Sequence, residues 1–415
     1  MSTTHPREFV PEAIGPLHGC RVLDLSRLVS GGHCGMVLAD LGADVIKIER
    51  PGVGDELRHG RIAGVAAFWT VYNRNKRSVS LNLKTPEGRE LLLKLVKTSD
   101  VVLENFRPGT LEKLGIGPDI LLETNPALVV TRISGWGQTG PYAHMPGFGT
   151  LAEAVSGFMY RNGTADSPPL APPTALSDMV AGLYAATATI AAVLHARSGG
   201  DGQTIDVSLF EPLASIMGPD ALLDQLGHLP TRGEGTRASS VKGVFITADD
   251  KWVALSAAAE GIVQKLFNAI GSPEALDDPR FSSYEGRLDH RAEINEIIGQ
   301  WIVQRTAAEV LASLRNEGVT VAPVFSTADA RNDPHFQARE VYVDMPGRDG
   351  EPETIAMHNV VPRMSGTPSG LRMPAPRLGE HNDEILTELG ISDTARRDLT
   401  QRGVLGSELK EGANV

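Results

Sequence analysis

Asp178 stands directly after Ser177 and at the head of a long run, residues 179–196, made almost wholly of Ala, Val, Leu, Ile, Gly, Thr and Tyr. Such a run predicts a helix buried on most of its faces. An acid at its start admits two readings. A carboxylate favours a helix N-terminus, so Asp178 can be a cap. If Ser177 supplies the cap instead, Asp178 is left as an ionised group against a buried wall, where a carboxylate is a feasible nucleophile. Position alone does not separate the two.

Other groups suggest what such a nucleophile would meet. The stretch "RLVSGGHCG", residues 27–35, offers backbone N–H groups at a helix start, which suits an anion such as a pyrophosphate. Its glycines do not follow G-x-G-x-x-G and no acid is clearly placed for a ribose, so a dinucleotide fingerprint is not indicated. Basic residues recur near strand ends: Lys47 and Arg50, then Arg74, Lys76 and Arg77 in "NRNKRS", then Arg107 and Lys113 in "ENFRPGTLEKLG". Open α/β sheets bind ligands beyond the C-terminal ends of their strands. Recurring positive charge there, in an acidic chain, points to a phosphate-bearing cofactor, although each residue alone also reads as solvated surface charge. The chain contains no G-x-S-x-G, Walker loop or H-E-x-x-H. His33, His59, His144 and His195 are scattered and read as structural or exposed. Cys20 and Cys34 lack zinc-like spacing, and no metal site is expected.

The elements that must position these groups follow from periodicity. "CRVLDLSRLVSGGHCGMVLADLGADVIKIER" reads as a strand over 22–25, a breaker-rich turn at Ser30, Gly31 and Gly32, a helix over 36–41 closed by Gly42, and the strand "DVIKIE". This βαβ unit implies a parallel sheet. "SVSLNL", "DVVLENF" and "ALVVTRISGWG" supply further strands. "TPEGRELLLKLVKTS" supplies an amphipathic helix with Thr85 as N-cap and Pro86 at its first position. After Pro212 the pattern turns helical and loop-rich. "GVFITADDKWVALSA" then reads as a β-hairpin, followed by two helical stretches, and the tail ends on an amphipathic helix around "NDEILTELG". The expected fold is α/β: a Rossmann-like open parallel sheet in a large domain, with a smaller α+β domain. The expected boundaries are 1–224 for the first part of the large domain, 225–330 for the small domain, and 331–415 for a segment returning to the large one.

Composition narrows the partners. The 415 residues are 41% apolar, ample for a large core and too many for one ordinary domain. The net charge of -12 argues against nucleic acid as the main partner. Two cysteines fit a reducing compartment. The start "MSTTHPREFVPEAIGPLHG" lacks a signal-peptide pattern. No apolar run reaches about 18 residues without Gly, Thr or charge. A soluble, cytoplasmic protein with no membrane association is therefore expected.

Six segments in fixed order carry a resemblance: "VLDLSRLVSGGHCGMVLADLGADVIKIERPGVGDELR", "NRNKRSVSLNLKTPEG", "DVVLENFRPGTLEKLG", "ISGWGQTGPYAHMPGFG", "SDMVAGLYAATATIAAVLHARSGGDGQTIDVSLFE" and "PRLGEHNDEIL". Together they resemble the class III CoA-transferase family, the group of formyl-CoA transferase and carnitine CoA-transferase, whose fold also includes α-methylacyl-CoA racemase. The resemblance spans about residues 18–390. It implies that Asp178 matches the family's catalytic aspartate, which attacks an acyl-CoA thioester, forms a mixed anhydride, and is then converted to an aspartyl-CoA thioester. It further implies CoA contacts at Leu28, Val29 and Ser30 through backbone and packing, and adenosine-phosphate contacts at Arg50 and Lys113. Asn75, Lys76 and Arg77 fall near the same groove, Asn105 and Phe106 line the CoA channel, and Phe148 and Gly149 lie in the substrate pocket. Acyl-CoA is thus a substrate, with a carboxylic acid as acceptor and no tightly bound cofactor. Succinyl-CoA and a small dicarboxylate are common family usage. The family's assembly implies an interlocked homodimer.

The chain departs from formyl-CoA transferase in places. Val29 replaces a Gln, Phe148 replaces an active-site Tyr, and the glycine-rich mobile loop expected near 235–245 keeps only Gly235 and Gly243. The alternative activity on this fold, racemisation or epimerisation of an acyl-CoA, needs acid/base groups rather than a nucleophile. The racemase "GHD" aligns with Phe148 and Gly149, so its His and Asp are both replaced. A non-catalytic CoA-binding role sits poorly with the retained Asp178.

Overall fold

The β-branched runs become one six-stranded sheet. Its strands are β1 (Arg21–Asp24), β2 (Asp44–Glu49), β3 (Lys76–Ser80), β4 (Val101–Glu104), β5 (Val129–Ser134) and β6 (Gln203–Ser208). They lie in the order β3-β2-β1-β4-β5-β6, and every neighbouring pair is parallel. The structure is a computed structural model that describes residues 7–229, 231–234, 239–348 and 350–409. The chain divides into two compact units. Leu223–Arg339 forms one; the chain up to Leu222 and from Glu340 onward forms the other.

In the first unit the helices are α1 (Leu28–Asp40), α2 (Ala67–Tyr72), α3 (Pro86–Val96), α4 (Thr110–Lys113), α5 (Pro118–Thr124), α6 (Gly149–Val155), α7 (Phe158–Arg161), α8 (Leu176–Arg197) and α9 (Phe210–Ile216). The sheet is buried on both faces, as parallel sheets are. One face packs Leu23, Ile46, Val79 and Val102 against Leu92 and Leu95 of α3. The other packs Val22, Val45, Val101 and Val129 against Leu38 of α1 and Ala181, Ala185 and Ala192 of α8. By length and composition alone α8 could cross a membrane; its alanine face packs on α1 and β5. Helix α3 starts as the sequence indicated, with Thr85 Oγ1 accepting the Gly88 N–H at 3.1 Å and Pro86 at the first position.

Two local expectations are corrected. Ser30, Gly31 and Gly32 lie inside α1 and are buried, not in a turn. Glycine here serves close packing: a Cβ on Gly31 would lie 2.3 Å from Ser26 Oγ, and one on Gly35 would lie 2.7 Å from Asp24 Oδ2. The turn is instead taken by the residues just ahead, with Leu28 at φ 60. The helix Asn382–Glu388 is not the last, because Asp393–Gln401 follows it. The tail from Glu340 adds an antiparallel pair, Tyr342–Pro346 with Thr354–His358. Asn382–Glu388 packs on β3, and Leu405 bridges to Leu81.

The second unit holds the hairpin of Val241–Ile246 with Trp252–Ala257, extended by Val321–Pro323. Asp250 turns it with φ 55. Helices Glu260–Ala269, Arg291–Ile302 and Ala307–Asn316 bury Phe267, Ile294, Ile298, Val310 and Leu314 around it. The helices Thr327–Asn332 and Pro334–Ala338 belong to this unit, so it runs beyond residue 330. Gly243 lies within a strand, which leaves the expected mobile loop no room beyond 240; Gly235 is outside the described residues.

Candidate active site

The sheet order turns back between β1 and β4, and there the loops after the two strands part to leave a crevice. Asn105 ties the two loops together. Its Oδ1 accepts the Arg27 N–H at 2.7 Å, and its Nδ2 donates to Arg27 O at 2.6 Å and to Ser30 Oγ at 3.4 Å. Consecutive residues then face two neighbouring cavities. Arg27 and Phe106 line one, of about 430 Å³; Leu28 and Asn105 line the other, of about 620 Å³.

The first cavity is basic. Arg27, Arg50, Lys84 and Lys113 line it, with Leu25, Val53, Phe106 and Leu114 as apolar wall. Arg50 follows the C-terminal end of β2 and is exposed. Lys113 ends α4, a single turn held in place by the fully buried Leu111 and by Glu112, which pairs with Arg132 at 2.9 Å. Arg132 in turn pairs with the buried Glu104 at 2.6 Å.

The second cavity contains Asp178. Leu28, Val29, Ser30, Phe148, Gly149, Glu153 and Thr174 are among its lining residues, and among the described residues none of the lining side chains is cationic. Asp178 lies in the first turn of α8. Ser177 does not cap that helix: its Oγ donates to Leu209 O at 2.8 Å, and its N–H goes to Glu153 Oε1 at 3.2 Å. The N-cap position is Ala175, without a side-chain bond. Burial first, and then the Glu153 carboxylate, push the Asp178 pKa up to about 6, against the lowering influence of its own N–H and of the Ser30 hydroxyl and N–H. Gly149 makes room: a Cβ there would lie 2.2 Å from Asp178 Oδ2. Burial, and then the Asp178 charge, raise the Tyr72 phenol above its ordinary value.

Asn75, Lys76 and Arg77 line neither cavity. They open β3, so they sit at the N-terminal edge of the sheet, where Lys76 pairs in register with Val45. The ligand end lies at the other end of the strand, where Ser80 faces Glu49, the residue before Arg50. Their side chains serve the fold. Lys76 Nζ is fully buried and donates to Asp24 Oδ2 at 2.9 Å, to Gly32 O at 2.9 Å and to Asn73 Oδ1 at 3.0 Å. Despite its burial, Lys47 and Lys76 hold the Asp24 carboxyl below its usual range. Arg77 bridges Asp44 at 2.6 Å and Glu384 at 2.7 Å, and Asn75 donates to Asp40 at 2.7 Å.

Three participants escaped the sequence reading: the Ser30 hydroxyl, Tyr72 and Glu153. Glu153 alone left a signal, as the one acid in the small-residue helix "GTLAEAV" at i+4 from Gly149. Among the described residues no three His, Cys, Asp or Glu side chains are grouped to hold a metal.

The model of CoA-transferase family III matches residues 17–382. The chain is 38% identical over 379 residues to succinyl-CoA–D-citramalate CoA-transferase of Chloroflexus aurantiacus, covering 90% of this chain and 94% of that one. It is 39% identical over 400 residues to the succinyl-CoA–L-malate CoA-transferase beta subunit of the same organism, covering 94% and 98%. Among solved structures, a CAIB/BAIF family protein from Brucella suis superposes with a TM-score of 0.78 at 32% identity, covering 91% of this chain and all of that one.

Proposed function

The chain belongs to CoA-transferase family III and is a CoA-transferase, and from that premise we propose that Asp178 carries the CoA between acyl-CoA and carboxylic acid. The observation that supports this most is the placement of Asp178: a carboxylate on the wall of a cavity at the sheet's switch point, shared with Ser30, next to a basic cavity. Oδ of Asp178 attacks the thioester carbonyl, the C–S bond breaks, and CoA thiolate leaves a mixed anhydride. The thiolate then attacks the Asp178 carboxyl carbon and expels the donor acid, leaving an aspartyl-CoA thioester. An acceptor carboxylate runs the two steps in reverse. Each step is an acyl transfer of modest barrier, and the thioester's energy is retained. Exclusion of water protects the anhydride.

The basic cavity is the reading for the CoA phosphates, with Arg50 and Lys113 as the charges that hold them. Relatives named for D-citramalate and L-malate point to succinyl-CoA as donor and a small hydroxy-dicarboxylate as acceptor. Racemisation is disfavoured because Phe148, on the rim of the Asp178 cavity, cannot exchange a proton. A homodimer belongs to the same reading. Leu151 and Val155 of α6, Leu183, Tyr184 and Leu194 of α8, and Ile216 of α9 are all exposed in the single chain, an apolar area that a second copy would cover. A single species near 44.3 kDa in sedimentation would remove it.

The activity is tested by incubating succinyl-CoA with a panel of acids and following new acyl-CoA by mass. Malate or citramalate is expected among the acceptors, with no deuterium entering the α-carbon of a 2-methylacyl-CoA in heavy water. Deuterium wash-in at a rate comparable to CoA exchange would contradict the proposal.

A further inference from the structure

We infer that Glu153 is a positioning residue for the nucleophile: from α6 its buried carboxylate fixes the first turn of α8 and sets a negative charge beside Asp178. The inference rests on the reading of Asp178 as the nucleophile.

Glu153 is 4% exposed and lines the same cavity as Asp178. A charged side chain so buried needs a partner or a task. Its Oε1 accepts the backbone N–H of Ser177, the residue immediately before Asp178, at 3.2 Å. That N–H is one of the donors a helix start leaves unpaired. Gly149 and Glu153, four residues apart, lie on one face of α6. The first lets the Asp178 carboxylate come close, and the second holds the backbone that carries it. Among the described residues no Arg, Lys or His lines this cavity to neutralise the pair.

The groups around Asp178 come from three elements. Ser30 of α1 favours its ionised form, the Tyr72 phenol of α2 feels its charge, and Glu153 of α6 opposes it. His33 of α1 is held neutral, its pKa lowered to about 4 first by burial. Among the described residues Glu153 is therefore the one carboxylate that raises Asp178 from a neighbouring element. An adjacent anion makes a carboxylate more basic and so a better nucleophile, while it stays ionised at neutral pH.

Glu153→Gln separates charge from position, because the amide oxygen can still accept the Ser177 N–H. The native enzyme should lose kcat/KM as pH falls through about 6, as Asp178 takes up its proton. In Glu153→Gln this limb should move to lower pH by about half a unit or more. Glu153→Asp keeps the charge but is too short to hold Ser177; its limb should stay and its kcat should fall. An unmoved limb in a folded Gln variant overturns the inference. So does a native-like kcat in the Asp variant if the Gln variant does not fold. Intact mass after succinyl-CoA keeps the two ideas apart. A CoA adduct that Asp178→Ala lacks, with an unmoved limb, sinks only the role of Glu153. No adduct in the native enzyme sinks the nucleophile itself.

Discussion

Gly149 is small because of a residue on another helix. Its Cα faces the Asp178 carboxylate so closely that a methyl group would stand 2.2 Å from Oδ2. Gly149→Ala should therefore displace the carboxylate rather than unfold the chain. CoA exchange should fall on the order of a hundredfold, the effect of misplacing a reacting group by about 1 Å, while the melting temperature moves little. Full exchange in this variant would show that the carboxylate has slack the geometry denies it. Asp178 was singled out by the family resemblance, because position alone fitted a helix cap equally well. Its partners were not. Ser30 was read for its backbone, yet its side chain shares a cavity with Asp178, and only the fold of α1 against α8 brings them together. Ser177, one of the two possible caps, does not cap because a tertiary partner, Leu209 O, takes its hydroxyl.

At the scale of elements, the two ends of a parallel strand differ, and sequence does not mark which end a charge will occupy. Arg50 leaves β2 at its C-terminal end and lines the basic cavity, whereas Lys76 enters β3 at its N-terminal end and is buried against Asp24. All read alike as basic residues beside strands. The difference is energetic. Removing Lys76 would leave the buried Asp24 carboxylate with Lys47 at 3.3 Å as its ion-pair partner and should lower stability. Arg50 and Lys113 are exposed and carry no such cost. Arg50→Ala or Lys113→Ala should leave the melting temperature near native and weaken CoA binding by about 1–3 kcal/mol. Calorimetry should show a larger loss for CoA than for dephospho-CoA or pantetheine. Equal losses for all three would remove the phosphate assignment.

At the scale of the molecule, the alternation of strands and helices sufficed to read a parallel α/β sheet, because each βαβ step constrains the next. The return of the chain to β3 was less visible in detail. Arg77 meets Glu384 and Glu388, and Leu81 meets Leu405, across some 300 residues that carry no local pattern for such pairing. The turn glycines of α1 misled for a related reason. Glycine marks a turn in isolation, but here it marks the close passage of a helix over Ser26 and Asp24. Both errors arise where tertiary packing outweighs local propensity.

The account turns on a covalent bond to one carboxylate. The most direct measurement is to mix the enzyme with succinyl-CoA, quench with hydroxylamine or borohydride, and map the modified peptide by mass. The prediction is a single modified residue, Asp178, with the modification and CoA exchange both abolished in Asp178→Ala while CoA still binds. Exchange that continues in Asp178→Ala, or a label that falls on another residue, would contradict it.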